Sequence, residues 1–205
     1  VTEDEARAWL AARFPADRVA IVDRYVALLL EENRAQNLIS KASEASIWSR
    51  HIVDSAQLLA FAPEAHSWLD VGSGPGLPGL VLACLSKTPI ALVEPRIRRV
   101  EFLRRAAAQL GLANVTVYPC VVERMPDGCY DVVTARAFAS LPEIFASTIR
   151  LTGSSTIWVL PKGRSAETEL EAARDTWQGV FHVEQSATDA EARIVVARQI
   201  RRVKR

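Results

Sequence analysis

At 205 residues, 49% hydrophobic and 24% charged, the chain is long enough for one well-formed core, and its balance excludes disorder and fibrous repeats. Three cysteines without metal-ligand spacing and three histidines far apart in sequence point to reduced thiols and no metal. No apolar run nears the roughly 20 residues of a membrane span, and the acidic start Glu3, Asp4, Glu5 is unlike a signal peptide, so the expected location is cytoplasmic with no membrane partner. The formal net charge of +1 is unevenly placed. Arg96, Arg98, Arg99, Arg104 and Arg105 crowd one segment, while Arg198, Arg201, Arg202, Lys204 and Arg205 form a basic C-terminal tail. Such patches suit phosphate contacts, whose strength is expected to depend on salt.

In chain order, residues 2–13, 17–36 and 45–61 are predicted as helices. Val19, Val22, Val26, Leu29 and Leu30 recur at three- and four-residue spacing, as do Ile47, His51, Ile52, Ala56 and Leu59. Pro15 separates the first two helices and Pro63 ends the region. These residues, 1–64, are expected to form a helical extension ahead of a catalytic domain at 65–205. The segment from Asn33 to Lys41 is polar, with donors suited to RNA or cofactor-site contacts.

From Ser67 onward strand-like runs appear at 67–71, 89–94, 115–120, 130–135 and 156–160, separated by helical patterns such as Ile97 to Leu110. Strands alternating with helices predict a mostly parallel sheet covered on both faces, an α/β fold of Rossmann-like type. A further helix near 166–175 precedes the runs 180–183 and 193–196, whose connection is too short for a crossover helix. They are expected to form an antiparallel hairpin at the sheet edge.

Ligands of such sheets bind beyond the carboxyl ends of the strands. There, Trp68-Leu69-Asp70-Val71 runs into three alternating glycines, Gly72, Gly74 and Gly76, and then into an apolar helical pattern from Leu77 to Leu85. One frame, Gly74-x-Gly76-x-x-Gly79, fits a dinucleotide fingerprint, with Glu94 about 20 residues on to bind a ribose. The other, Asp70-x-Gly72-x-Gly74-x-Gly76, looks like the first motif of S-adenosylmethionine-dependent methyltransferases, where Glu94 serves the same ribose role. The chain after Leu160 is short for a second nucleotide half. In the methyltransferase frame, Val122 is placed to pack against the adenine and Glu123 to lie near its polar edge. The turn's amides are expected to meet the cofactor's methionine and ribose portions. Arg136, at another strand end, is a fixed cation for the methionine carboxylate or an RNA phosphate, or else a brace for a loop through carbonyl contacts.

The ordered set Asn37-Leu38-Ile39-Ser40, His51-Ile52-Val53-Asp54-Ser55, Leu69 to Gly79, Arg136-Ala137-Phe138-Ala139-Ser140-Leu141 and Pro161-Lys162-Gly163 resembles the RsmG family, also called GidB. The resemblance runs from about Asn37 to Gly163. It implies a class I methyltransferase fold and methylation of guanosine N7 in bacterial small-subunit ribosomal RNA, near the decoding site. It also implies cofactor contacts from Gly72, Leu77, Val122, Glu123 and Arg136. Asp70, Gly74, Gly76 and Glu94 join these on the arguments above.

Guanine N7 carries no proton at neutral pH, so the expected mechanism is positioning without a general base. Phe138, beside Arg136, is a candidate platform for the guanine or an aromatic tucked under its loop. Arg34, Asn37, Lys41, Arg50, His51 and Lys162 are expected to border the mouth of the site, provided that the N-terminal helices pack near the strand ends. A monomer is expected, with RNA, free or in the assembling subunit, as partner. Two other readings stay open: a nicotinamide-dependent oxidoreductase, and a non-catalytic RNA-binding or ribosome-assembly module of methyltransferase shape.

Overall fold

The Trp68–Val71 strand (β1) is buried along its whole length and lies inside the sheet. In the computed structural model, which describes residues 1–203, it pairs in parallel with Ile90–Val93 (β2) on one side and Tyr130–Ala135 (β4) on the other. Lys204 and Arg205 of the basic C-terminal cluster lie outside the described residues. The remaining strands are Val115–Tyr118 (β3), Thr152–Lys162 (β5), Trp177–Gln185 (β6) and Arg193–Arg202 (β7), and the seven run in the order β3-β2-β1-β4-β5-β7-β6. Strands β1 to β5 are parallel, while β7 runs antiparallel to both β5 and β6. The order reverses between β1 and β4. A crevice therefore opens at their carboxyl ends, beside Asp70 and its register partner Thr134.

Helices Gly79–Leu85 (α5) and Ile97–Leu110 (α6) cover one face of the sheet, and Leu141–Thr148 (α7) and Ala166–Arg174 (α8) the other. Helices Glu3–Ala11 (α1) and Ala16–Gln36 (α2) lie outside α5 and α6. The apolar cluster on this side runs unbroken from Leu10 and Leu29 to Leu80 and Leu103, so residues 1–64 share a core with the sheet. No described helix is long and apolar enough to cross a membrane.

Helix α1 starts in a capping box, with Thr2 Oγ1 accepting from Glu5 N at 3.2 Å and the Glu5 carboxylate accepting from Thr2 N at 2.8 Å. Helix α2 ends at Asn37, which takes a left-handed conformation with φ 50°. A short helix Lys41–Glu44 (α3) precedes the predicted third helix, 45–61, which is itself broken into a π-helical turn Trp48–Val53, Asp54–Ala56 (α4) and a 3₁₀ turn Gln57–Phe61. One cause lies in α1. The Glu3 carboxylate accepts from Trp48 N and Ser49 N, both at 2.9 Å, and from Ser49 Oγ at 2.7 Å, which draws those groups away from an ordinary helical ladder.

Two further elements depart from expectation. Helix α7 was not individually predicted, although its capping box, Ser140 with Glu143, and Pro142 in its first turn are helix-start signals. The basic C-terminal segment is no tail: Arg198, Arg201 and Arg202 belong to β7, which is hydrogen-bonded between β5 and β6 and buries Ile200. Removing residues from Gln199 onward would strip part of a sheet strand, so it cannot isolate electrostatics.

Candidate active site

The glycine turn after β1 spends its amides on the protein itself. Gly72 N and Ser73 N donate to Val93 O at 2.9 and 3.0 Å, Gly76 N and Leu77 N to Ser73 O at 2.7 and 3.2 Å, and Gly79 N to Asp70 Oδ2 at 3.0 Å. Gly74 N donates to Glu94 Oε2 at 2.9 Å. The expectation that these amides meet a cofactor is therefore corrected: they are already paired within the turn and with its neighbours. At Gly72, with φ 69°, an added Cβ would stand 2.5 Å from Phe138 Cδ2. The Phe138 ring thus lies against the turn and remains 42% exposed, so it is not tucked into the core.

Glu94, at the end of β2, is buried and accepts a second amide, Arg96 N at 2.9 Å, with the Arg99 guanidinium 3.7 Å away. Each carboxylate oxygen has one amide and keeps lone-pair capacity for a hydroxyl. From the other side, Tyr25 of α2 donates its hydroxyl to Pro75 O at 3.0 Å. Tyr25→Phe is expected to destabilise the fold by about 1 kcal/mol through the lost hydrogen bond, measured by urea denaturation. Looser cofactor binding, measured by calorimetry, is expected with it.

Arg136 follows β4 and precedes Ala137, whose φ of 49° is left-handed and turns Phe138 outward. Arg136 Nη2 donates to Arg50 O at 3.0 Å and lies 2.8 Å from His51 Nδ1. The bracing role through a carbonyl is present, yet Nη1 is buried and has no partner among the described residues. His51 Nε2, Asp70 Oδ1 and Thr134 Oγ1 are likewise buried and unpaired.

Burial, reinforced by the Arg136 charge, lowers the His51 pKa from 6.5 to about 4, whereas burial raises that of Asp70 from 3.8 to about 7. The two act on stability with opposite sign. Between these values the unfolded chain protonates His51 while the fold keeps it neutral, so stability rises with pH. Asp70 holds a proton in the fold that the unfolded chain releases, so its contribution falls with pH, and each slope is about 1.4 kcal/mol per pH unit. In Asp70→Asn the falling contribution is gone. Its stability relative to wild type is expected to climb as pH rises from about 4.5 to 6.5, and parallel urea midpoints in the two proteins would contradict this.

Two clefts meet at Arg50, Arg136 and Ala137. The smaller, about 460 Å³, is walled by Gly72, Ser73, Gly74, Leu77, His51 and Arg99. The larger, about 900 Å³, is walled by Phe138, Lys162, Asp54 and the Thr188–Asp189 loop. Lys162 Nζ donates to Ala139 O at 2.7 Å and pairs with Glu169 at 2.8 Å, holding the Arg136–Ser140 loop. Glu123 is exposed on a shallow depression beside Phe138, and Val122 is buried, its carbonyl accepting from Arg150 Nη2 at 2.7 Å. Asp70 and Glu94 hold the turn through the Gly79 and Gly74 amides, and Gly76 is part of the turn itself. Arg34, Asn37 and Lys41 are exposed and line neither cleft.

Sequence reasoning assigned no role to Tyr25 or Asp54. Asp54 Oδ1 accepts from Gln57 Nε2 at 2.9 Å, Ser186 Oγ at 3.0 Å and Thr188 Oγ1 at 2.8 Å, so it latches the loop after β6 to the larger cleft. Its place beside His51 in the 51–55 motif was the available signal.

A parallel sheet with one antiparallel strand inserted before the last, and a glycine turn after its central strand, defines a Rossmann-like methyltransferase fold. Solved structures agree with it. An O-methyltransferase from Bacillus cereus in complex with SAH aligns with a TM-score of 0.58 at 14% identity, over 85% of this chain and 90% of that one. MtNAS in complex with MTA and tNA aligns with a TM-score of 0.61 at 16% identity, over 89% and 74%. The profile of the GidB family, rRNA small subunit methyltransferase G, matches residues 18–198, and the chain belongs to that family. Among curated relatives, the ribosomal RNA small subunit methyltransferase G of Rhizorhabdus wittichii is 46% identical over 98% of this chain and 94% of its own length. That of Sphingopyxis alaskensis is 46% identical over 95% and 85%.

Proposed function

We propose that this chain transfers a methyl group from S-adenosylmethionine to N7 of a guanosine in small-subunit ribosomal RNA, near the decoding site. The observation that carries the reading is the meeting of two clefts at Arg136, one bounded by the glycine turn and one opening to solvent past Phe138. Family membership supports the same reading.

The residues present suit such a cofactor. Glu94 has free lone pairs at the end of β2, and Arg136 Nη1 is a buried donor without a partner among the described residues. When bound, S-adenosylmethionine supplies an electrophilic sulfonium methyl.

The protein's part is placement. Guanine N7 has an in-plane lone pair and no proton to remove, so holding acceptor and donor in line supplies the main acceleration. Phe138 offers a half-exposed face for a splayed base, and Lys162 fixes the loop that carries Phe138. An A-form helix hides the N7 edge in its deep groove, so the acceptor must be unpaired or flipped. A tritium-transfer assay on small subunits and on free RNA from cells lacking the modification tests this. Incorporation at guanine N7 is expected, and incorporation at adenine or cytosine, or none, would overturn the proposal.

A further inference from the structure

The loop between β6 and β7, residues 186–192, is held from outside its own hairpin. One oxygen of Asp54, at the start of α4, accepts from Gln57 Nε2 at 2.9 Å, Ser186 Oγ at 3.0 Å and Thr188 Oγ1 at 2.8 Å. Gln57 grips the same stretch, with its Oε1 accepting from Ala187 N at 2.8 Å and its Nε2 donating to Ser186 Oγ at 3.0 Å. Thr188 N donates to Ser186 Oγ at 3.2 Å, so that hydroxyl uses its donor and both of its acceptor positions. Gln57 and Ser186 are each only 6% exposed, and a satisfied network out of water stiffens what it joins. Apolar packing has little part in this, because Ala187, Asp189, Ala190 and Glu191 are exposed. A loop of this kind is ordinarily mobile, and here its place relative to α4 rests on the polar clamp.

The clamp places the loop at the larger cleft and away from the smaller one. Asp54, Thr188, Asp189 and Ala190 line the larger cleft with Phe138 and Lys162, whereas none of those four lines the smaller cleft beside the glycine turn. Resting on the function proposed above, we propose that Asp54 is a positioning residue for the RNA acceptor: it acts through the 186–192 loop, which it holds as the wall against which the unpaired nucleotide docks. A reaction without a general base depends on placement, and a wall fixed beforehand removes the cost of ordering a loop when RNA binds. The signature is a loss confined to the acceptor side.

Steady-state kinetics on small subunits from cells lacking the modification, calorimetry with S-adenosylhomocysteine and amide hydrogen exchange test this on the full chain. Asp54→Ala is expected to raise KM for the RNA substrate about 5- to 20-fold, with kcat within about threefold and S-adenosylhomocysteine affinity within about twofold of wild type. Exchange at the Ala187 and Thr188 amides should accelerate about tenfold or more. Asp54→Asn retains an acceptor for the loop hydroxyls, so it is expected to recover most of the loss. Ser186→Ala combined with Thr188→Val cuts the clamp at its loop end and should reproduce the KM effect, without adding to it when joined to Asp54→Ala.

Unchanged loop exchange, an unchanged KM, equal losses of RNA and cofactor affinity, or effects of the two ends that add would overturn the assignment. So would Asp54→Asn as poor as Asp54→Ala, which would point to the carboxylate meeting the RNA directly. Wild-type protein that methylates no ribosomal RNA would instead overturn the function proposed above. Should Asp54→Ala fail to fold, the loop-end pair carries the same test with the same outcomes.

Discussion

Arg136→Ala is expected to lower kcat/KM for methyl transfer by roughly 10²- to 10³-fold, the range seen when one preorganised donor is removed from a site. Arg136 lines both clefts, together with Arg50 and Ala137, and its buried guanidinium ties the end of β4 to Arg50 O and His51 Nδ1. The loss should come with weaker cofactor binding by calorimetry and an unchanged far-ultraviolet circular dichroism spectrum. Arg136→Lys is expected to recover little, because an ammonium cannot reach Arg50 O and His51 together while presenting a further donor to the cleft. Wild-type activity in a folded Arg136→Ala protein would remove this residue from the site.

Gly76→Ala is expected to destabilise the fold by on the order of 3 kcal/mol, the combined effect of strain at a special backbone position and overpacking in a filled core. Gly76 has φ 99°, a conformation that L side chains rarely adopt. An added Cβ would stand 2.5 to 2.9 Å from Cδ1, Cγ and Cβ of Leu80, which is fully buried at the start of α5 and has nowhere to retreat. Urea denaturation measures the effect as a lowered midpoint at unchanged slope. Cofactor affinity should fall as well, since the turn and α5 move together. A midpoint within experimental scatter of wild type would show that the turn tolerates a side chain.

Much of this architecture was legible because its signals are local and repeated. Strands β1 to β5 appear as apolar runs between helical patterns, and the glycine alternation marks where the central strand ends. The reversal of strand order between β1 and β4, which opens the crevice, is a feature of the strand pairing that the α/β alternation leaves open.

What escaped depends on contacts across the chain. The break-up of the third predicted helix involves Glu3, which caps Trp48 and Ser49 from 45 and 46 residues away. The Tyr25 hydroxyl reaches Pro75 across 50 residues, and Asp54 holds Ser186 and Thr188 across 132 and 134. No periodicity within a window of the sequence encodes such pairs. The turn amides illustrate the same point: alternating glycines suggest an open cradle, but Asp70 and Glu94 fold back to take two of the amides. The basic residues of β7 looked like a tail because charge at a chain end carries no pairing information, whereas buried Ile200 within that run marked a strand.

The most direct test of the central claim is a map of N7-methylguanosine in small-subunit ribosomal RNA from cells with and without this protein, combined with restoration by the wild-type chain and by Arg136→Ala. One N7-methylguanosine is expected to disappear with the protein, return with the wild-type chain and not return with Arg136→Ala. An unchanged map in cells lacking the protein would contradict that claim.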